Sequence, residues 1–206
     1  MNLMNFMDDL RAPTGAPGGG AAAAVAGAMG CALFQMVAGV TLSLPRFTEG
    51  LDKLEEMREA SEYFHKKFLA LGDEDANAYR QVEAALKMPR STSEEKSQRR
   101  KAMQEAFIGA TESPLNTVEA AIEAMGLLPD LLKYGNPNAI TDLAVGFLML
   151  DAAWRGAAMN AEINLGSIKD EEFKAASSSR LKNARKQAAK YIPQLNAAME
   201  QAGLTV

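Results

Sequence analysis

The longest uninterrupted apolar segment of the chain covers residues 21–44 and carries no charged side chain. A second apolar segment, with few polar breaks, runs from residue 137 to about residue 165. Elsewhere, apolar residues recur every three to four positions, which predicts amphipathic helices over residues 2–10, 48–71, 73–88, 91–126 and 169–201. No segment is typical of a strand. The pattern therefore predicts an all-α fold, a single-domain helical bundle with two long buried helices.

Turn and cap residues set the predicted helix boundaries. Gly72 is expected to end one helix, so that residues 73–75 form the acidic first turn of the next. Pro114 follows a serine and is expected to restart or kink its helix. The pair Asn136-Pro137 predicts the start of the second buried helix, and Pro193 predicts a break in the last one.

A proline and three consecutive glycines open the first apolar segment, namely Pro17, Gly18, Gly19 and Gly20. Glycine loses much backbone entropy on folding, so a run of three predicts that the backbone conformation or a close approach requires them. The free N–H groups at a helix start bind polar or anionic groups. Gly27, Gly30 and Gly39 within the segment likewise indicate close contact with a neighbour. We interpret the stretch as a ligand-facing loop on a tightly packed helix.

Three other interpretations of this stretch are less favoured. A membrane span is long enough, but alanine and glycine insert weakly and Gln35 lies mid-segment. A signal peptide would have a basic start, and here Asp8 and Asp9 precede the segment. A nucleotide loop would end in Gly-Lys-Ser/Thr or carry the third glycine of the dinucleotide motif, and neither is present.

Composition narrows the possible functions. The 206 residues fit one domain over residues 1–206, and the apolar share of 48% is that of a globular protein. A net charge of −4 argues against a nucleic-acid partner. The single cysteine, Cys31, fits a reducing cytoplasm, and its apolar surroundings predict an inert core residue. We therefore expect a cytoplasmic protein with neither membrane nor nucleic acid as a partner.

The titratable residues leave acid–base chemistry to carboxylates. With one histidine, His65, and one cysteine, neither a zinc site nor a histidine relay is expected, so no metal is predicted. Asp142 lies in an apolar stretch, where it could be a working acid or a helix-start charge.

Three polar residues interrupt the later part of the second apolar segment. Arg155 could bind a ligand or pair with Asp151 one turn before it. Asn160 and Asn164 share a helix face and could bind a ligand or form a hydrogen bond to another helix.

Several motifs, taken in order, carry a resemblance to a known family. They are Ala16-Pro17-Gly18-Gly19-Gly20, Asp73-Glu74-Asp75-Ala76 with Tyr79, Ser113-Pro114-Leu115, Gly135-Asn136-Pro137-Asn138-Ala139-Ile140 with Asp142, and Arg155, Asn160 and Asn164. In this order and spacing, the chain resembles the formiminotetrahydrofolate cyclodeaminase / methenyltetrahydrofolate cyclohydrolase family over nearly its whole length. The resemblance implies an all-helical homodimer that binds reduced folate near the glycine loop.

The resemblance also implies an activity. The family hydrolyses 5,10-methenyltetrahydrofolate to 10-formyltetrahydrofolate, or cyclises formiminotetrahydrofolate with release of ammonia. We expect the cyclohydrolase reaction, because the chain stands without a transferase domain, and no cofactor beyond the tetrahydrofolate substrate. Family members tend to carry a lysine-rich run where this chain has residues 43–47. A non-catalytic folate-binding protein of the same fold therefore stays an alternative, beside the cyclodeaminase.

Site residues follow from the motif positions. Both reactions pass through a tetrahedral carbon between N5 and N10 and require a proton acceptor and a proton donor. The resemblance implies that Asp75 and Asp142 exchange these protons, in either order, and that Arg155 assists in orienting the substrate. The implied substrate-binding residues are Pro17, Gly18, Gly19, Gly20, Asn136, Asn138, Asn160 and Asn164.

Overall fold

A computed structural model describes residues 2–204, and this part of the chain is helical without any strand, as the apolar pattern predicts. The helices are α1 (Leu3–Arg11), α2 (Gly19–Leu42), α3 (Leu51–Lys87), α4 (Ser93–Met125), α5 (Leu128–Tyr134), α6 (Ile140–Leu165), α7 (Glu171–Ala188) and α8 (Ile192–Gln201). A 3₁₀ turn at Pro137–Ala139 leads into α6. The two predicted buried helices correspond to α2 and α6.

Four long helices, α2, α3, α4 and α6, form the core as an up-down-up-down bundle. Each helix packs antiparallel against the next, and α6 returns to pack against α2. The largest fully buried side chains include Phe34, Phe68 and Phe147, which come from α2, α3 and α6. Helices α7 and α8 pack on the outside, and Arg180 of α7 pairs with Glu112 and Glu119 of α4 at 2.8 and 2.6 Å.

Helix α2 approaches its neighbours closely because it has glycines at the contacts. A Cβ on Gly30 would lie 2.6 Å from the carbonyl oxygen of Gly146 in α6, and one on Gly27 would lie 2.6 Å from the Phe68 ring in α3. Cys31, directly after Gly30, is fully buried, and burial raises the pKa of its thiol to about 12, as expected for an inert core residue. The prediction for Gly39 is wrong, because within residues 2–204 no atom of a neighbouring element lies within 4 Å of the position that a Cβ would take.

Helix α3 does not end at Gly72, contrary to the sequence-based expectation. It continues through this residue to Lys87, and Gly72 is buried against Ala21 and Ala24 of α2. Gly72 therefore lies in the contact between α2 and α3 and not at a helix end, and a Cβ there would make ordinary contacts at 3.7 Å. As a consequence, residues 73–75 lie in the middle of a long helix and are not its first turn.

The predictions at Pro114 and Pro193 have different outcomes. Pro114 lies inside α4, and the helix continues through it without a restart. A capping box is present at the start of α4: the Thr92 hydroxyl accepts from the Glu95 N–H, and the Glu95 carboxylate accepts from the Thr92 N–H. The last predicted helix is divided into α7 and α8 by a turn just before Pro193.

Among the described residues, α2 is the one helix long and apolar enough to cross a membrane. It is also the central helix of the bundle, and buried residues occur along its whole length from Gly20 to Thr41. A core helix of this kind satisfies the same length and composition test, so the finding is weak support for a membrane span.

We predict that Gly30→Ala lowers the free energy of unfolding by about 1–3 kcal/mol, because the new methyl group overlaps a backbone oxygen that cannot move aside. Chemical denaturation followed by circular dichroism measures this. Gly109→Ala in α4 is the matched control, since nothing lies within 4 Å of its Cβ position. The control should gain about 0.5–1 kcal/mol from helix propensity. A gain in both variants would show that α2 and α6 are not in close contact at Gly30.

Candidate functional site

A cavity of about 270 Å³ lies at the start of α2, between α3, α4 and α6, and we call it the glycine-loop cavity. Its lining residues are Gly15, Gly18, Gly19, Gly20, Asp75, Tyr79, Val82, Phe107, Ala110, Asn160, Ile163 and Asn164. The fold thus brings together six of the residues that the sequence singles out, from three separate segments. Asp75 is the one ionisable side chain among them besides the Tyr79 phenol.

Close approach requires a glycine at position 20 of the loop, and none of the three glycines has an unusual backbone conformation. None of Gly18, Gly19 and Gly20 has a positive φ. Gly18 is the N-cap residue of α2, and Gly19 and Gly20 are the first two residues of the helix. A side chain on Gly20 would overlap the Asp75 carboxylate, and a Cβ on Gly19 would lie 3.4 Å from Nδ2 of Asn160. The expectation that the run serves backbone freedom is therefore wrong, while the expected close approach is found.

Asp75 lies against the first turn of α2, although it belongs to the middle of α3. Burial raises the pKa of the Asp75 carboxyl, and the backbone N–H of Ala21 opposes this by favouring the charged form. The N–H groups at the start of α2 therefore partly stabilise the negative charge of Asp75, which burial destabilises. Because its pKa is raised, the Asp75 carboxylate is a stronger proton acceptor than an exposed aspartate, as a general base requires.

The two asparagines of α6 use their amide groups to satisfy backbone carbonyls. Asn160 donates to the Gly156 carbonyl of its own helix at 2.8 Å. Asn164 donates to the Ala110 carbonyl of α4 at 2.6 Å. Pro114 has no N–H, so this carbonyl lacks its usual partner within α4. The predicted helix–helix hydrogen bond is thus present at Asn164, and a proline explains it.

Tyr79, Phe107 and Ile163 line the cavity, and the sequence analysis assigns them no role. The Tyr79 ring lies so close to Gly15 that any side chain there would overlap it, so this ring also supports the glycine loop. Its spacing gives a signal that could have found it, because Tyr79 follows Asp75 by four positions on one helix face. Phe107 and Ile163 have the spacing of ordinary core or surface residues.

Asp142 and the two earlier asparagines lie outside the cavity of their own chain. Eighteen positions separate Asp142 from Asn160, which is about 27 Å along α6. Asn136 caps the 3₁₀ turn by accepting from the N–H of Asn138, while Asn138 itself is exposed. The prediction of one cleft with Asp75 and Asp142 together therefore does not hold within a single chain, because the length of α6 separates Asp142 from the cavity.

Arg155 and Pro17 are also outside the cavity lining. Arg155 pairs with Asp151 at 2.8 Å and lies over the ring of Trp154, so the predicted i,i+4 ion pair is present. Pro17 lines a separate cavity between α1, α2 and α3. In the single chain, Arg155 therefore has structural partners, and Pro17 lies in a different cavity.

Neither the histidine nor the carboxylates of residues 2–204 form a metal site. No cluster of three or more His, Cys, Asp or Glu side chains occurs in this part of the chain. Nδ1 of His65 lies 3.0 Å from the Ala28 carbonyl oxygen and links α3 to α2, as expected for a histidine at the edge of the core. The acid–base group that remains in the glycine-loop cavity is Asp75.

Comparison with known proteins identifies the family. The sequence profile described as formiminotransferase-cyclodeaminase matches residues 2–183. The chain belongs to the formiminotransferase-cyclodeaminase family. All residues that line the glycine-loop cavity fall within the matched range.

Relatives within this family carry two different names. The chain is 34% identical to a methenyltetrahydrofolate cyclohydrolase of Methylorubrum extorquens, over 83% of its own length and 82% of the relative's. It is also 34% identical to the rat formimidoyltransferase-cyclodeaminase, over 97% of its length but only 38% of that longer protein. The crystal structure of formiminotetrahydrofolate cyclodeaminase from Thermotoga maritima superposes with a TM-score of 0.87 at 27% identity, covering 98% of this chain and 97% of that one.

We predict that Asn164→Ala lowers the free energy of unfolding by about 1–3 kcal/mol, because it leaves the Ala110 carbonyl without a partner. The decisive comparison is the same substitution in a Pro114→Ala background, where residue 114 regains an N–H for that carbonyl. The cost of losing Asn164 should then be smaller, as measured by a double-mutant cycle of urea unfolding. Equal costs in both backgrounds would contradict the proposed exchange of partners.

Proposed function

We propose that this chain is a folate one-carbon enzyme that hydrolyses 5,10-methenyltetrahydrofolate to 10-formyltetrahydrofolate in the glycine-loop cavity. The observation that carries the proposal is the Asp75 carboxyl, which burial holds at a raised pKa in a cavity that has no other carboxylate. Membership of the family and the cyclohydrolase from Methylorubrum extorquens, matched over most of both chains, support the choice of substrate. No cofactor beyond the folate substrate is proposed.

Asp75 alone supplies both proton transfers in this proposal. Water attacks the methenyl carbon, and the ionised carboxylate of Asp75 takes a proton from it. The carbon–N5 bond then breaks, N5 takes the proton from Asp75, and the hydroxyl group of the intermediate releases its own proton as the formyl group forms. This differs from the predicted pair of Asp75 and Asp142, since Asp142 lies too far along α6 in the same chain.

The other lining residues would hold the substrate. Tyr79 and Phe107 offer aromatic surface to a flat ring system, and the asparagines offer amide oxygens to its N–H groups. The hydrogen bonds of Asn160 and Asn164 to the Gly156 and Ala110 carbonyls involve only their amide nitrogens. The N–H groups at the start of α2 lie beside the same cavity and would donate hydrogen bonds to the oxygen of the tetrahedral intermediate.

A second candidate reaction is the cyclisation of formiminotetrahydrofolate with release of ammonia. It is favoured by the cyclodeaminase from Thermotoga maritima, whose structure overlaps this chain almost completely. There, N10 attacks the formimino carbon, and Asp75 would pass the proton lost by N10 to the departing ammonia. The same carboxyl serves either reaction, so the cavity residues do not distinguish the two substrates.

The protein is further proposed to be a cytoplasmic homodimer without nucleic acid or membrane as a partner. Exposed apolar side chains on the outer faces of α2 and α6 support the dimer: Met29, Met36, Val40, Val145, Leu148, Met159 and Ile163. Because α2 has no charged residue, exposure of this apolar face to water is unfavourable, which favours its burial in an interface. We call these seven residues the α2–α6 face.

We expect the purified protein to consume 5,10-methenyltetrahydrofolate faster than the uncatalysed hydrolysis, and Asp75→Asn to reduce turnover about a hundredfold or more. The loss of the substrate's absorbance measures the rate, and formiminotetrahydrofolate with ammonia detection is the parallel assay. Glu74→Gln is the matched control, because this neighbour is exposed and outside the cavity. Wild-type turnover in the Asp75 variant would exclude Asp75 as the acid–base group, and no activity on either folate would contradict the proposed function.

The pH dependence should follow the raised pKa of Asp75. Turnover by the cyclohydrolase route falls as the pH drops through this pKa, because the base becomes protonated. Stability changes in the opposite sense, since the folded protein binds this proton more tightly than the unfolded chain and gains stability as the pH falls. Asp75→Asn should remove this gain without lowering the melting temperature at neutral pH.

We predict that the protein sediments as a dimer at micromolar concentration and that Leu148→Glu converts it to a monomer. Leu148 is exposed in the middle of the α2–α6 face, so a buried carboxylate there would oppose association. Analytical ultracentrifugation measures the mass. Leu86→Glu is the control, because Leu86 is also exposed but lies at the far end of α3. A wild-type monomer, or a Leu148 variant that stays dimeric, would argue against this interface.

A further inference from the structure

Residues 2–18, which comprise α1 and the segment before α2, are weakly attached to the helical bundle, and we call them the N-terminal arm. None of these residues is buried, and Phe6 and Leu10 are the half-buried side chains of α1. Within the described part of the chain, the hydrogen bonds and ion pairs of residues 2–17 join residues of the arm to each other. A segment with so few buried contacts and no polar link to the core opens at a low cost in free energy.

A cavity lies on each side of residues 15–18 of the arm, so we call these residues the wall. On one side is the glycine-loop cavity, whose lining includes Gly15 and Gly18. On the other side is a cavity of about 240 Å³ between α1, α2 and α3, whose lining includes Pro17, and we call it the α1 cavity. The wall can therefore shift toward the α1 cavity without displacing side chains of the core.

Helix α3 contributes side chains to both cavities. Ala76 and Arg80 line the α1 cavity, while Asp75 and Tyr79 line the glycine-loop cavity. Each pair has a spacing of four, so the two pairs lie on neighbouring faces of the helix. The wall crosses α3 between these faces, and there Gly15 lies against the Tyr79 ring so closely that a Cβ would overlap it. This contact covers part of the aromatic surface that the proposed function assigns to the ligand.

The charged residues of the α1 cavity do not hold α1 in place. Asp9 of α1 and Asp73 of α3 both line this cavity, and two like charges repel each other. Arg80 is the cation of the lining, and its guanidinium donates to Asn77 of its own helix at 2.5 Å rather than to either carboxylate. The position of α1 therefore depends on its two half-buried apolar side chains.

The glycine-loop cavity by itself is small for the ligand proposed for it. Its volume of about 270 Å³ lies below the roughly 300–1,000 Å³ typical of sites that enclose a drug-sized molecule. The two cavities taken together fall within this range. A shift of the wall transfers volume from the α1 cavity to the glycine-loop cavity at the cost of the contact between Gly15 and Tyr79. A flat ligand ring that stacks on Tyr79 would replace this contact.

We propose that the wall is movable: it lies against Tyr79 in the free protein and moves into the α1 cavity when a ligand occupies the glycine-loop cavity. The identity of this ligand as a folate rests on the proposed function. The ligand favours the displaced wall because its ring takes the place of Gly15 on Tyr79, and a difference in affinity of this kind is what shifts a conformational equilibrium. The α1 cavity thus serves ligand binding without contacting the ligand.

Filling the α1 cavity tests whether the wall needs this space. Ala76→Leu should weaken the binding of tetrahydrofolate about tenfold or more, because a filled cavity lowers the population of the displaced wall and the apparent affinity falls with that population. Isothermal titration calorimetry measures the affinity. Ala184→Leu is the matched control, because Ala184 is similarly buried and lines a cavity of about 270 Å³ between α4 and α7. The control should bind tetrahydrofolate as the wild type does.

A second variant separates the space in the α1 cavity from an effect on Asp75, the neighbour of Ala76 in α3. Val25 of α2 lines the same cavity from another side, and Val25→Ile adds one methylene group there. Binding should weaken in the same direction by a smaller factor, and melting temperatures verify that both variants fold. Wild-type affinity in both folded variants would overturn the proposal, as would an equal loss of affinity in Ala184→Leu.

Hydrogen exchange followed by mass spectrometry tests the arm in the free protein. The amides of α1 should exchange about a hundredfold faster than those of the buried part of α2, because the arm opens independently of the bundle. Tetrahydrofolate should change the exchange of residues 12–18. Protection of α1 equal to that of α2, or binding without any change at residues 12–18, would overturn the proposal. If the protein binds no tetrahydrofolate, the proposed function fails, and the exchange of α1 still decides whether the arm opens.

Discussion

The rest of the structure depends on the close packing of α2 against α3 and α6. This contact is possible because Gly27 and Gly30 have no side chains where Phe68 and the Gly146 carbonyl would otherwise collide with them. The inward sides of the uncharged α2 are covered by its neighbours in the four-helix bundle, and small residues at the contacts let these neighbours approach. The start of α2, with its free N–H groups, is thereby held at a fixed place beside α3, α4 and α6.

Asp75 illustrates how this packing produces chemistry. The same approach of α2 that Gly20 permits brings the carboxylate out of water and next to the first turn of the helix. Burial raises its pKa, and the Ala21 N–H limits the rise. The packing of α2 against α3 therefore gives this carboxyl a raised pKa and places it at the wall of the cavity, where it can act as an acid–base group.

Pro114 and Asn164 show a second link between packing and the site. The proline removes one hydrogen bond from α4, and the asparagine of α6 restores it through the Ala110 carbonyl. The two helices are thereby fixed to each other at the wall of the cavity. In the sequence Pro114 looks like a helix break, but in the structure it explains the polar contact between α4 and α6. Asn164, which makes this contact, is a polar residue on an otherwise apolar helix surface.

The sequence by itself determined the all-α class, the two buried helices and the residue types of the site, because helical periodicity and cap residues are local properties. It also indicated that Gly19 and Gly20 face other groups. Only the tertiary structure decided that α3 runs through Gly72 and that Asp75 lies beside the first turn of a different helix. These facts depend on which helices pack together, and no spacing along one helix contains that information.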